Sequence, residues 1–302
     1  SDFSQEEQKR QISINTSLIT MERSGRQFFV LDTPGFADFI GEMRSAVRVA
    51  DALLIAVSGV SGIEVQTDKA WETGSEFELP TAFYVSKLDR ENSDFNKVLE
   101  DLRSVYSDKA VAVLLPVGAE ASFRGIVDVL RNRAYIYEMD GSGKFAQTDV
   151  PADMAEAAAQ ARESLVEAIV EADDELMMRY LDGETIGEEE LFPALRKAIA
   201  SRMVLPVFPG SATQNVGVHQ LLDFIGDFFP SPLDSRKRPA KKGNDDTEVA
   251  PDPSGQFTAL CFKVMVDPYV GKLSFIRVNS GTLTSDNTIY NVNKGEEERI
   301  SS

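Results

Sequence analysis

Several short and almost continuous apolar runs occur along the chain, and each ends abruptly in small or polar residues. The runs cover residues 28–31, 52–57, 82–85, 111–117 and 204–208. Continuous hydrophobicity over such short lengths is typical of parallel strands that are covered on both faces. We therefore predict a buried strand in each run, with a polar segment at its carboxyl end.

Helical patterns separate these runs. Apolar residues recur at three- and four-residue intervals in two segments, which contain Phe39, Ile40, Met43, Ala46 and Val47, and Val218, Leu221, Leu222 and Ile225. Strands that alternate with helices predict a doubly wound, mostly parallel α/β sheet, and such sheets bind ligands at the carboxyl ends of their strands. The polar segments that follow the strands are therefore the candidate site.

A segment from about 118 to 202 interrupts the alternation. Within it, an apolar stripe at helical spacing lies opposite an acidic stripe; the first contains Leu165, Ile169, Ala172 and Leu176, and the second Glu163, Glu167, Glu171 and Asp174. We predict one amphipathic helix. Its acidic face has two interpretations: a solvated surface, which the pattern alone favours, or a docking face for a basic protein.

The composition changes after residue 230. Residues 231–256 are rich in Pro, Lys, Arg and Asp without periodicity, which predicts a linker. Strands are predicted after it over 257–266, 272–278 and 288–292. Three strands leave an open edge that a stable all-β domain normally avoids, so we expect this second domain to continue beyond residue 302.

The overall composition is that of an acidic globular protein. Its 302 residues include 31 basic and 49 acidic side chains, for a net charge of −18. That charge argues against attraction to free DNA or an anionic membrane, and no apolar run reaches the roughly 20 residues of a membrane helix. The single cysteine, Cys261, and single histidine, His219, exclude a disulfide framework and a multi-histidine site within the chain. We expect a cytoplasmic protein.

The end of the first strand suits a phosphate-bound metal. Asp32 is followed by Thr-Pro-Gly, and a carboxylate there commonly holds Mg²⁺ through water, while the Gly35 amide can meet a terminal phosphate. The alternative is a polar strand end with a Pro-Gly turn.

Two later strand ends suit guanine. The carboxylate of Asp89 can accept hydrogen bonds from guanine N1 and N2, and the Lys87 stem can lie along the base. A backbone amide of Ser211 or Ala212 can meet guanine O6. Each fragment is weak alone, but three in order on one edge predict a guanine nucleotide site.

The chain resembles the elongation factor G family of translational GTPases over nearly its whole length. The motifs that carry this resemblance are Asp32-Thr33-Pro34-Gly35 for switch II, Ser86-Lys87-Leu88-Asp89 for the Asn-Lys-x-Asp guanine motif, Gly210-Ser211-Ala212 for the final guanine-contacting loop and 6–14 for the end of switch I. Residues 229–234 and 259–283 are similar to the start of that family's domain II, and the acidic insertion falls where the family inserts its G′ subdomain.

The resemblance implies a P-loop-type GTP-binding domain over 1–230 with an inserted α/β G′ subdomain, followed by part of a β-barrel over 257–302. It implies a GTP-dependent translation factor of the translocation type that acts on the ribosome, meets ribosomal RNA locally and docks the stalk protein on the insertion. GTP or GDP and Mg²⁺ are the implied cofactors. The implied ligands are Ser13 and Asp32 for the metal, Gly35 for the terminal phosphate, and Ser86, Lys87, Asp89, Ser211 and Ala212 for guanine.

The sequence departs from the family's pattern at four places. No G-x-x-x-x-G-K-[ST] loop occurs, since Gly143-Lys144 is followed by Phe145 and Gly271-Lys272 by Leu273. We therefore expect a phosphate-loop segment to precede residue 1 in the full protein, and the chain as written to bind GTP poorly. Ser13 replaces a threonine and retains its hydroxyl, and Ser86 replaces an asparagine.

The fourth departure concerns the hydrolysis of GTP. Phe36 stands where the family has the histidine that positions the attacking water, so no catalytic residue is assigned. An apolar ring neither orients water nor relays a proton, so GTP hydrolysis is expected to be slow or to use a group from the ribosome. Two alternatives stay open: a ribosomal-protection or release-factor-type GTPase, and a GTP-binding ribosome-interaction protein that hydrolyses GTP weakly or not at all.

Overall fold

The structure is a computed structural model that describes residues 2–234, 237–267, 269, 271–285 and 287–300. Two compact units divide it, Ser1–Pro230 and Ser231–Ser302. The helices are α1 (Gln5–Arg10), α2 (Ile40–Val49), α3 (Val65–Glu76), α4 (Phe95–Val105), α5 (Ala155–Val170), α6 (Asp174–Leu181), α7 (Glu188–Ala200) and α8 (Val218–Phe228). Within these residues, no helix combines the length and apolarity needed to cross a bilayer.

The strands of the first unit are β1 (Ser17–Arg23), β2 (Arg26–Asp32), β3 (Leu53–Ser58), β4 (Thr81–Ser86), β5 (Ala110–Ala112), β6 (Leu114–Val117), β7 (Gly125–Asp128), β8 (Arg133–Tyr137), β9 (Phe145–Thr148) and β10 (Leu205–Pro209). Those of the second unit are β11 (Arg238–Lys242), β12 (Asp245–Val249), β13 (Thr258–Asp267), β14 (Gly271–Ser280), β15 (Thr288–Asn291) and β16 (Glu296–Arg299).

A fully parallel sheet in the order β3-β4-β10-β5 lies at the centre of the first unit. All of β10 and all but the last residue of β4 are buried, as expected for strands covered on both faces. The prediction of a parallel α/β sheet is confirmed. Because the strands are parallel, the carboxyl ends of β3, β4 and β10 lie along one edge.

The apolar run 28–31 forms a strand, but the prediction that this strand is buried and parallel is wrong. It lies in β2, which pairs antiparallel with β1 in a separate two-stranded sheet, and Phe29 is 63% exposed. The turn between the strands, Ser24-Gly25, has φ of 52° and 72°, the left-handed pair of a type I′ hairpin. This local turn chemistry decides the pairing, whereas hydrophobicity alone does not distinguish the two arrangements.

The β1–β2 hairpin is held against α8 by ion pairs. Arg23 makes two hydrogen bonds to the carboxylate of Asp223, at 2.6 and 2.7 Å. Asp227 on the same helix accepts one cation from each side: Arg26 of the hairpin at 2.9 Å and Arg131, from the segment between β7 and β8, at 2.8 Å. One helix therefore anchors both the hairpin and the insertion.

The run 111–117 divides between two sheets instead of forming one strand. β5 belongs to the parallel sheet, and β6 begins the antiparallel sheet β6-β7-β8-β9 of the insertion. Between them, the Val113 N–H donates to the Val207 carbonyl at 3.2 Å, and the Val113 carbonyl accepts from Val129 at 3.2 Å. The chain thus enters the insertion without leaving the core.

The predicted single amphipathic helix of the insertion is two helices. α5 ends at Val170, and Asp173 caps α6 by accepting a hydrogen bond from the Leu176 N–H at 3.4 Å. An aspartate at this position is a helix-start signal that the stripe of apolar residues concealed. Leu165 and Ile169 are fully buried, and the four predicted acidic residues are exposed or half-exposed: Glu163, Glu167, Glu171 and Asp174.

The second unit contains three two-stranded antiparallel sheets among its described residues. Strands are found at the three predicted places, as β13, β14 and β15, and β16 is additional. The prediction of an irregular linker is wrong over 238–249, where β11 and β12 form a hairpin around Gly243 with φ of 66°. Pro268 and Val270, within the segment that resembles domain II, lie outside the described residues.

Candidate functional site

The ends of β4 and β10 meet through backbone hydrogen bonds. The Gly210 N–H donates to the Val85 carbonyl at 3.0 Å, and the Leu88 N–H donates to the Gly210 carbonyl at 3.3 Å. The structure therefore brings the predicted segments 86–89 and 210–212 together on one edge of the sheet. They lie there because both strands run parallel into that edge.

Asp89 is the most informative side chain of this edge. Only 14% of it is exposed, and its Oδ2 accepts a hydrogen bond from the Thr213 hydroxyl at 3.3 Å. Its Oδ1 is buried and has no hydrogen-bond partner among the described residues. An ionised oxygen that is buried without a donor is unfavourable, so this atom fits a ligand that supplies N–H groups.

Ser211 and Ala212 form the opposite side of the edge. The Ser211 hydroxyl is buried, lies 3.2 Å from the Thr213 hydroxyl and accepts from the Gln214 N–H at 3.2 Å. These contacts fix the loop that follows β10, and they leave Ala212 exposed at its tip. Thr213, which connects Ser211 to Asp89, was missed by the sequence analysis; its position two residues after Ser211 is the only signal for it.

Two glycines allow the close packing of these loops. A Cβ on Gly210 would lie 2.5 Å from the hydroxyl oxygen of Tyr84, and a Cβ on Gly59 would lie 2.7 Å from the Leu88 side chain. The Gly59 N–H also donates to the Ser86 carbonyl at 2.8 Å. Gly59 follows β3, so its place at the end of a neighbouring parallel strand is the signal that could have identified it.

Lys87 is exposed and adopts the left-handed conformation, with φ of 63°. Few residues other than glycine and asparagine take this conformation without a local cause. Here the cause is the turn that carries the chain from β4 to Asp89, closed by the hydrogen bond from Arg90 N–H to the Lys87 carbonyl at 3.1 Å.

The predicted phosphate and metal residues lie in other segments. Asp32 ends β2 and is half-buried, whereas Gly35 is exposed, and a Cβ there would meet nothing within 4 Å. Phe36 is 53% exposed and precedes a short 3-10 turn. Within the part of the chain that is described, no hydrogen bond or ion pair joins 32–36 to 86–89, so the convergence of Asp32 with Asp89 stays a prediction.

Ser13 belongs to a folded segment organised by Glu7. The Glu7 side chain is fully buried and accepts hydrogen bonds from the N–H groups of Ser4, Ile14 and Asn15, at 3.0, 2.9 and 2.9 Å. Burial by itself raises the pKa of Glu7, but these backbone donors outweigh it and lower the pKa to about 2. The Ser13 hydroxyl donates to Asp2 at 2.7 Å.

The residue types of Ser13 and Asp32 suit Mg²⁺, but the described part of the chain does not bring the two side chains together as a metal site. Among the described side chains, no group of three His, Cys, Asp or Glu residues is placed to hold a metal. Mg²⁺ that is bound with a nucleotide needs only one or two protein ligands, because phosphates and water supply the rest. A hydroxyl and a carboxylate, as in Ser13 and Asp32, fit that requirement once Ser13 leaves Asp2.

Comparison with known proteins decides the family. The family model described as elongation factor Tu GTP binding domain matches residues 1–231. The chain belongs to this family. The α/β fold predicted from the resemblance is confirmed.

A solved structure supports the same conclusion. The chain is 31% identical, with a TM-score of 0.84, to a protein of Thermus thermophilus described as ttk003000868. The match covers 99% of this chain and 42% of that one. The chain therefore spans less than half the length of the solved relative, with which it shares its fold.

Proposed function

We propose that the chain is the nucleotide-binding part of a GTP-dependent translation factor that acts on the ribosome as elongation factor G does. The observation that carries the proposal is the buried, unpartnered Oδ1 of Asp89 beside the end of β10. Guanine presents two neighbouring donors, N1–H and N2–H₂, to a carboxylate, and adenine lacks this pair. A carboxylate held here selects guanine over adenine.

The remaining base contacts follow from the same edge. A backbone N–H of Ser211 or Ala212 would donate to guanine O6, and the Lys87 stem would lie along the ring. Ser86, at the end of β4, would support the turn that leads from β4 to Asp89. Its hydroxyl replaces the amide found in the family's motif, so guanine selectivity stays with Asp89 while affinity falls.

On the phosphate side, Gly35 would offer its N–H to the terminal phosphate, and Ser13 and Asp32 would hold Mg²⁺, which neutralises phosphate charge when it is bound. The open space around Gly35 supports its role, since nothing blocks the approach of a phosphate. Loss of the terminal phosphate would release the segments around Ser13 and Gly35 and change the placement of the domains.

The exposed apolar ring of Phe36 favours a second candidate, a ribosome-interaction protein that binds GTP without hydrolysing it at a useful rate. Single-turnover hydrolysis by the full-length protein, with and without ribosomes, separates the two. A ribosome-stimulated rate supports the translocation-type factor. No stimulation supports the binding protein.

We further propose that the exposed acidic face of α5, around Glu163 and Glu167, docks the basic side of the ribosomal stalk protein, and that the protein works in the cytoplasm. Membership of the family supports an encounter with the ribosome, and we propose that the protein also meets ribosomal RNA there. The net charge of −18 restricts RNA contact to local patches.

Nucleotide identity provides the direct test. In Asp89→Asn, an amide donor faces guanine N2, so preference shifts from guanine to xanthine, whose O2 is an acceptor; we expect at least about tenfold. The measurement, made on the full-length protein, is displacement of a fluorescent guanosine diphosphate by GDP and by XDP. Asp182→Asn, an exposed aspartate of the insertion, is the matched control. Unchanged GDP preference in Asp89→Asn contradicts the placement of the base.

A further inference from the structure

The insertion touches the loop that carries Asp89. Residues 118–122 turn sharply, with φ of 82° at Gly118 and 52° at Glu120. The turn directs the Glu120 carboxylate to the backbone of the neighbouring loop, where its Oε1 accepts from the Asn92 N–H at 2.7 Å. Asn92 itself has φ of 62°, so the loop from Lys87 to Asn92 contains two left-handed residues and needs support from outside.

The insertion also touches the loop that carries Ser211. A Cβ on Gly143, in the turn between β8 and β9, would lie 2.8 Å from Asn215 Cγ and closer still to its amide nitrogen. The strand pair next to this turn packs on the start of α8: the Tyr137 hydroxyl donates to Gln220, and the rings of Phe145 and His219 meet edge to face with their centroids 5.8 Å apart. The hairpin thus fixes the far end of this loop.

These two contacts have one feature in common: each comes from the insertion, and each reaches a loop assigned to the guanine base. We propose that the insertion clamps both loops, with Glu120 as the positioning residue for Asp89 and the turn at Gly143 as the support for the Ser211 loop. The inference rests on the proposed function. It goes further by making discrimination of the base depend on residues that do not touch the nucleotide.

The chemistry of the bases predicts which nucleotide loses most affinity when the clamp is removed. Both carboxylate oxygens of Asp89 are used only by a base with N1–H and an N2 amino group, and hypoxanthine lacks the amino group. A loosened Asp89 loop therefore lowers the affinity for GDP more than the affinity for IDP. A change in overall stability would lower both affinities equally.

The first experiment needs no nucleotide. Amide hydrogen exchange is measured in the full chain for peptides that cover 87–93. Glu120→Ala should exchange about three- to tenfold faster there, as expected for one lost hydrogen bond, while Glu120→Gln, which keeps an acceptor oxygen, restores protection. Glu156→Ala, an exposed glutamate of α5, is the control. Equal exchange in wild type and Glu120→Ala overturns the clamp.

A matched glycine pair tests the second contact. Gly143 and Gly141 both have left-handed φ, 74° and 77°, so alanine strains both backbones alike. Only at Gly143 does the new methyl group meet Asn215; at Gly141 it lies 3.7 Å from the Thr213 carbonyl oxygen. Gly143→Ala should speed exchange over 211–217 more than Gly141→Ala does. Equal effects overturn this half of the clamp.

The second experiment measures the GDP and IDP affinity of the full-length protein by displacement of a fluorescent nucleotide. Glu120→Ala should lower the GDP-to-IDP affinity ratio about threefold or more, and Glu120→Gln should restore it. Faster exchange with an unchanged ratio overturns the role in base recognition. A full-length wild-type protein without preference for guanine over adenine nucleotides instead overturns the proposed function, and the exchange result tells the two failures apart.

Discussion

The buried carboxylate of Glu7 holds the segment that carries Ser13, and Glu7→Gln should release it. The pKa of Glu7 is lowered from 4.5 to about 2, which corresponds to about 3 kcal/mol in favour of the charged, folded form. Because glutamine keeps one acceptor oxygen, we expect Glu7→Gln to lose about 2 kcal/mol of this. In the variant, one amide oxygen replaces two acceptor oxygens, so the segment opens about 30-fold more often at pH 7.

The rate of trypsin cleavage measures this opening directly, because the cleavage sites Lys9 and Arg10 lie within α1. Cleavage of a transiently opened segment follows the population of the open form when reclosing is fast. Glu6→Gln is the matched control, since Glu6 is exposed and pairs with Arg10 across one helical turn. Cleavage of Glu7→Gln at the rate of Glu6→Gln refutes the reasoning.

The pH dependence has a definite sign. A folded pKa below the unfolded value gives stabilisation that is complete above about pH 4.5 and is lost as the pH falls toward 2. Hydrogen exchange at the Ile14 and Asn15 amides should therefore lose protection between about pH 4.5 and 2 in wild type and Glu6→Gln. The loss should be absent in Glu7→Gln, which has no proton to take up.

Three further predictions concern the contact of Gly210 with the Tyr84 ring, the rate of GTP hydrolysis and the packing of the core. Gly210→Ala places a methyl group against the Tyr84 ring and should cost about 1–3 kcal/mol by thermal denaturation, whereas Gly41→Ala, with nothing within 4 Å, should cost nothing. Phe36→His should raise ribosome-stimulated GTP hydrolysis about 100-fold if only a water-positioning group is lacking; an unchanged rate argues against that explanation. Leu195→Ala removes a fully buried side chain shared by the insertion and the sheet and should cost about 2–5 kcal/mol.

The meeting of the two segments proposed to bind guanine was predictable from sequence because it depends on sheet topology. Once the runs 82–85 and 204–208 are parallel strands, the segments that follow them must meet, and Asp89 and Ser211 are connected through Thr213. The metal side was not predictable in the same way. Asp32 lies on a hairpin whose position depends on ion pairs to α8, separated by about 200 residues in the chain, and no local pattern encodes such contacts.

Two of the wrong fold predictions have a common physical cause: a short polar signal outweighed a longer apolar pattern. The turn at Ser24-Gly25 places the run 28–31 in a hairpin. Asp173 starts a second helix, although the apolar stripe continues from α5 into it. Residues 238–249 had no alternation to detect, because nearly all of β11 and β12 is exposed or half-exposed. Burial patterns report packing, and where packing is slight, turns and caps decide the structure.

The carboxylate of Asp227 has a mechanical consequence. One of its oxygens pairs with a guanidinium of the β1–β2 hairpin and the other with a guanidinium of the insertion. A shift of either part that pulls its arginine away removes the repulsion between the two guanidinium groups and strengthens the attraction of the carboxylate for the remaining arginine. Rearrangement of the hairpin and displacement of the insertion are therefore coupled events in this molecule, even though the two parts make their own separate sheets.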